Sequence, residues 1–168
     1  DDVVFSAAKL FFAYGLGNGL YFPFGVGASA VHHPGRPAPE DILNVVQQTR
    51  PTLFFSVPTA YASILALPDA EKRFDFSSVR RCVSAGEALP ADTFNEFRRR
   101  FGVTIYDGIG QTETHIFIGN RIGMEIRPGS MGKPLTGYEA AILDDAGHEQ
   151  KRGEPGHLVL RSGHPGLT

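Results

Sequence analysis

The sequence is short of cysteine, of excess charge and of long apolar stretches. Its one cysteine, Cys82, cannot close an internal disulfide, and no Cys/His cluster has zinc spacing. A disulfide scaffold and a zinc knuckle are therefore both excluded, and the cytoplasm is the expected compartment. The 16 Lys and Arg stand against 18 Asp and Glu, a net charge of -2. No basic excess is left to condense on nucleic acid phosphates or anionic lipid, so neither is an expected partner. The longest apolar candidate, residues 10–27, is broken by Asn18, Pro23 and several glycines, and falls short as a membrane span. No basic-then-apolar leader opens the chain, which starts Asp1-Asp2, and the whole reads as an internal piece of a longer protein.

What is present suits a globular α/β body. Of 168 residues, 42% are hydrophobic and 20% charged, enough apolar material for a core. The 20 Gly and 12 Pro fall between apolar runs and punctuate short elements. Phe5 to Phe12 reads as a short helix, followed by the glycine-rich Gly15-Leu16-Gly17-Asn18-Gly19. Ala28 to His32 is a strand candidate, and Pro39 to Gln48 carries Ile42, Leu43, Val45 and Val46 at helical spacing. Thr52 to Val57 is a continuous apolar run, as a buried parallel strand requires, and Pro58 then opens a helix holding Tyr61, Ile64 and Leu65. Arg80 to Ser84 is another strand. Pro90 begins a helix with Phe94, Phe97 and Phe101 on one face, closed by Arg98 to Arg100 and Gly102. Val103 to Tyr106 adds a strand, and the sheet is expected to end near Ile118.

This alternation predicts an α/β fold: a mostly parallel sheet flanked by helices, followed by the start of a small β subdomain. In the latter, Tyr138 to Leu143, a turn at residues 144–147, and Gly156 to Arg161 read as hairpin strands. The division falls between Arg127 and Pro134, giving units 1–128 and 129–168.

Ligands in open α/β sheets bind beyond the carboxyl ends of the strands. Two loops occupy that place. Ser84-Ala85-Gly86-Glu87-Ala88-Leu89-Pro90 offers small residues for a flat ring and Glu87 as an acceptor; its plainer reading is a strand-to-helix turn that needs Gly86. Tyr106-Asp107-Gly108-Ile109-Gly110-Gln111-Thr112-Glu113-Thr114-His115 gathers glycines, hydroxyls, carboxylates and a histidine, a set suited to phosphate and Mg²⁺. Other candidates weigh less. The glycines at 15, 17 and 19 miss the dinucleotide spacing and have no predicted strand before them. His32-His33 reads as a solvated loop, Arg98-Arg99-Arg100 as a solvated helix end, and Cys82 as a packed thiol. Ser84 is no nucleophile elbow, since Gly-x-Ser-x-Gly is absent.

Together and in this order, the two loops resemble the central portion of the adenylate-forming acyl-CoA synthetases, the superfamily that includes luciferases and peptide-synthetase adenylation domains. Residues 5–18, FSAAKLFFAYGLGN, are similar to the benzoate-CoA ligase branch, and the likeness extends through Gly132-Lys133-Pro134, Gly137-Tyr138 and Gly153-Glu154-Pro155-Gly156. The resemblance implies an ATP-dependent aryl-CoA ligase. A carboxylate attacks the α-phosphate of ATP, and coenzyme A then displaces AMP. It implies Gly86, Glu87 and Ala88 along the adenine, and Asp107, Gly108, Ile109, Gly110 and Gln111 on the nucleotide's other side. Thr112 would bond phosphate and Glu113 would hold Mg²⁺, the two catalytic assignments. Ile109 stands where many relatives have an aromatic residue. Ala13, Tyr14, Phe22, Ala88, Gly110 and Ile116 would line the ring pocket, with His115 steering the carboxylate or packing on it. The resemblance also implies a C-terminal domain of the same parent chain carrying further machinery. Two alternatives stand beside this reading: an adenylating enzyme for another aryl or fatty acid, and a non-catalytic module that binds an aromatic acid or nucleotide.

Overall fold

The computed structural model describes residues 2–35 and 37–161; the tail of the expected β-rich unit, 162–168, lies outside the described residues. The first element is a strand, β1 (Val3–Ser6), and not the helix expected from Phe5 to Phe12. A short apolar run carries no decisive period, and here long-range pairing decides: β1 lies parallel between β2 (Ser29–Val31) and β3 (Leu53–Ser56). Phe5 is thereby fully buried and stacks on Phe54 at 5.6 Å.

The remaining strands of the main sheet are β4 (Arg81–Ser84), β5 (Ile105–Gln111), β6 (His115–Gly119) and β7 (Lys133–Pro134), in the order β2-β1-β3-β4-β5-β6-β7. β2 through β5 run parallel, while β6 and β7 are antiparallel additions. The mostly parallel sheet is as expected, but β5 is longer than predicted and β7 carries the sheet past Ile118. A separate two-stranded sheet pairs β8 (Ala140–Leu143) with β9 (His157–Leu160). The turn at 144–147 forms, its backbone bonded to Asp144 Oδ1, yet it folds back on residues 148–150 before β9 begins.

Helices α3 (Pro39–Thr49), α4 (Pro58–Leu65), α5 (Ala70–Arg73) and α6 (Ala91–Phe101) follow the parallel strands. Ile42, Leu43 and Val46 of α3, Tyr61 and Ile64 of α4, and Phe94 and Phe97 of α6 pack with Phe54, Cys82 and Ile105 in one core. Its centre is aromatic: the rings of Phe54, Tyr61, Phe76 and Phe97 meet edge to face. Arg100 is not the solvated residue expected. It is pinned by Glu71 and donates to the carbonyls of Leu65 and Leu67, closing the end of α4. Strands alternate their side chains, so Leu53, Phe55, Arg81 and Val83 point to the opposite face, where they are only half-buried. Over that side lies one short helical run: α1 (Ala13–Leu16), a π-helical turn (Gly17–Tyr21) and α2 (Phe22–Gly25). Among the described residues no helix is long and apolar enough to cross a membrane.

Candidate active site

Beyond the carboxyl ends of β3, β4 and β5 lies a cavity of about 480 Å³, lined by Ala8, Phe12, Ala13, Tyr14, Val57, Ala85, Gly86, Glu87, Gly110, Gln111, Thr112, His115 and Ile116. Both predicted loops reach it. Gly86 adopts φ +94, and a Cβ there would meet only Val57 Cγ1 at an ordinary 3.6 Å, so it is glycine for conformation. Gly110 is glycine for space: a Cβ there would run into the His115 carbonyl, because β5 and β6 shift register between Ile109 and Gly110. Gln111 at the end of β5 and Thr112 in the hairpin turn line the cavity, and Glu113 follows in the turn; all three are exposed. The turn is fixed from below, where the Tyr138 hydroxyl donates to the Thr114 carbonyl at 2.8 Å.

Tyr14 forms one wall. Its hydroxyl donates to the carbonyls of Ser56 and Val83, each at 3.3 Å, tying α1 to the ends of β3 and β4. Burial pushes its pKa well above the usual tyrosine range, so it stays a neutral donor. His115 forms the facing wall in a left-handed conformation, φ 56. Its Nδ1 accepts the Ile116 amide at 2.9 Å, which places the neutral ring's proton on Nε2. Nε2 is buried without a hydrogen-bond partner, and burial holds the imidazole pKa below its ordinary value.

Of the residues singled out in the sequence, Ala13, Tyr14, Gly86, Glu87, Gly110, Gln111, Thr112, His115 and Ile116 meet at this cavity. Others do not form its wall. Asp107 and Gly108 are buried in β5, and Ile109 pairs with Ile118. Burial raises the Asp107 carboxyl pKa, and its Oδ1 lacks a hydrogen-bond partner beneath the site. Phe22 stands behind His115, ring edge to ring face at 4.8 Å. Ala88 is exposed beyond Glu87, and Glu113 sits on the turn next to Thr112. Sequence reading missed Ala8, Phe12, Ala85 and Val57. Val57 follows directly on β3 and could have been found from the rule that strand ends bear sites. Ala8 and Phe12 were hidden by the misread β1. That strand also removes one argument against a dinucleotide fingerprint at 15–19, though the glycine spacing still excludes it. Cys82 is fully buried and burial raises its thiol pKa, in keeping with a packed thiol.

Among the described residues no cluster of His, Cys, Asp or Glu could cage a metal ion alone. Mg²⁺ takes one or two carboxylates and fills its shell with phosphate oxygens and water, so an exposed Glu113 beside the Thr112 hydroxyl fits that donor set. A second cavity, of about 280 Å³ and bounded by Ile42, Ser56, Thr59 and Ser63, shares Ala8 and Val57 with the first.

The same arrangement recurs in known proteins. The chain is 52% identical over 149 residues to a benzoate–CoA ligase of Thauera aromatica, covering 88% of this chain and 28% of that relative. It is 43% identical to a 4-hydroxybenzoate–CoA/benzoate–CoA ligase of Rhodopseudomonas palustris, covering 97% and 30%. Among solved structures, an anthranilate CoA ligase in complex with anthranoyl-AMP superposes with a TM-score of 0.92 at 48% identity, over 98% of this chain and 32% of that one. A benzoate CoA ligase from Burkholderia xenovorans LB400 gives 0.91 at 46% identity, over 99% and 34%. The chain thus spans about a third or less of these relatives. The likeness seen in the two loops is borne out along the whole chain: residues 1–167 match the family model described as AMP-binding enzyme, and the protein belongs to that family.

Proposed function

We propose that the parent protein is an ATP-dependent aryl-CoA ligase that activates benzoate or a close relative as an acyl adenylate and transfers the acyl group to coenzyme A. The observation that carries this reading is the two-part cavity. Its floor is apolar and aromatic, from Ala8, Ala13, Tyr14 and Ile116, with the exposed Phe12 at its edge, while its mouth carries Glu87, Gln111 and Thr112. A flat ring would fill the floor and leave its carboxylate toward the mouth, where the nucleotide belongs. Relatives named for benzoate, hydroxybenzoate and anthranilate support the same substrate class.

In the first step a carboxylate oxygen bonds to the α-phosphorus of ATP and the bond to the bridging oxygen breaks, releasing pyrophosphate. Alignment of the two reactants does much of the work, since held geometry replaces a bimolecular encounter. Gly86, Glu87 and Ala88 border the adenine, the Thr112 hydroxyl donates to phosphate, and His115 fixes the side from which the carboxylate approaches. Glu113 and Thr112 would hold Mg²⁺, which neutralises phosphate charge when bound. In the second step the coenzyme A sulfur bonds to the acyl carbon and AMP leaves. The second cavity behind Ala8 and Val57 supports a separate approach for that acceptor. We place the enzyme in the cytoplasm, acting on small aromatic acids.

Purified parent protein supplied with benzoate, ATP and coenzyme A is expected to yield benzoyl-CoA, AMP and pyrophosphate in equal amounts by mass-resolved chromatography. Glu113→Gln should lower that turnover at least a hundredfold while calorimetry still registers benzoate binding. ADP as the product, or full activity in Glu113→Gln, would overturn the reading.

A further inference from the structure

The helical run beside the cavity carries a π-helical turn at Gly17–Tyr21. Such a turn inserts one residue into the helical repeat, which rotates everything after it by about 100° around the axis. The first residue past the insertion is Phe22, and its ring meets His115 with centroids 4.8 Å apart at 87°. The two rings meet over Gly17. A Cβ at that position would lie 2.7 Å from Phe22 Cε2 and 2.9 Å from His115 Nε2, closer than real Cβ atoms come to anything. Gly17 is itself buried and does not line the cavity, whereas His115 does.

His115 has little freedom to absorb a displacement. Its backbone is left-handed, its Nδ1 accepts the Ile116 amide, its carbonyl accepts from Thr114 Oγ1, and that same carbonyl abuts Gly110. The Phe22 ring packs against the imidazole edge to face and is itself 47% exposed. We propose that Gly17 is a positioning residue that sets acid specificity: the volume its missing side chain leaves takes up the edges of the Phe22 and His115 rings, so that the imidazole stands back from the cavity and leaves room for the acid's ring. A side chain at 17 would push the imidazole away from the helix and into the space the ring occupies. This inference rests on the cavity being the aryl-acid site.

The test uses the full-length parent. Gly17→Ala is expected to raise the KM for benzoate about tenfold, with a larger loss for any bulkier ring-substituted acid that the wild type accepts, and with the KM for ATP unmoved. Gly17→Ala/Phe22→Leu, which relieves the crowding at the ring, should recover most of the benzoate KM. A purely structural defect would move both KM values or would not be rescued. An unchanged benzoate KM in Gly17→Ala, a parallel rise in both KM values, or no recovery in the double variant overturns the inference. Should Gly17→Ala fail to fold, a folded and active double variant supports it and an unfolded one overturns it. Failure of the wild-type parent to use any aryl acid would instead sink the reading of the site itself.

Discussion

Tyr14 shows how one side chain serves structure and site at once. Its ring walls the cavity, while its hydroxyl is spent on the carbonyls of Ser56 and Val83. The two duties separate by substitution. Tyr14→Phe keeps the ring and leaves two strand-end carbonyls short of a donor, so it should cost about 1 kcal/mol of stability, read by denaturant unfolding, with little change in benzoate KM. Tyr14→Ala removes the wall and should raise that KM sharply; equal KM effects from the two variants would contradict the division. At this scale the motif residues were legible. Gly86 stands in a strand-to-helix turn whose backbone demand can be read locally, while Gly110 and Thr112 stand out by the motif they share with the family. Ala8 was not legible, because only the parallel pairing of β1 with β3 replaces the expected helix and brings it to the cavity, whereas Val57 stands at the end of a strand the sequence already marks.

Elements were legible where a local signal and the tertiary demand agree. In α6 the apolar Phe94 and Phe97 fall at i and i+3, Pro90 stands at its N-cap, and Gly102 ends it with φ 71. A Cβ at Gly102 would meet nothing within 4 Å, so only conformation requires glycine there. Gly102→Ala should therefore destabilise by about 1 kcal/mol through the left-handed cap alone, lowering Tm by a few degrees without altering either substrate's KM. A loss of activity exceeding the loss of stability would show that α6 does more than pack. The element that escaped the sequence was β1. Val3 to Ser6 is too short for any periodicity, and its identity comes from partners 26 or more residues away. The helical run after it was equally opaque, since nothing local announces a π turn among glycines that could be read as loop.

Among the described residues, α3, α4 and α6 cover one face of a largely parallel sheet, and the run 13–25 is the helical cover on the other. Parallel sheets are ordinarily buried on both faces. Phe11 at 80% and Val26 at 81% exposure flank that run as exposed apolar side chains. The cavity likewise is lined by one stretch of a longer protein, since the chain spans 28% to 34% of its relatives. The account centres on the claim that this cavity, within the complete parent, activates an aryl carboxylate with ATP. The most direct test is exchange of labelled pyrophosphate into ATP by the parent protein, with benzoate, with a long-chain fatty acid and with no acid. Exchange that requires benzoate, and that is absent from the isolated 168 residues, is the predicted result. Exchange that ignores benzoate, or that runs equally well on the fatty acid, would contradict it.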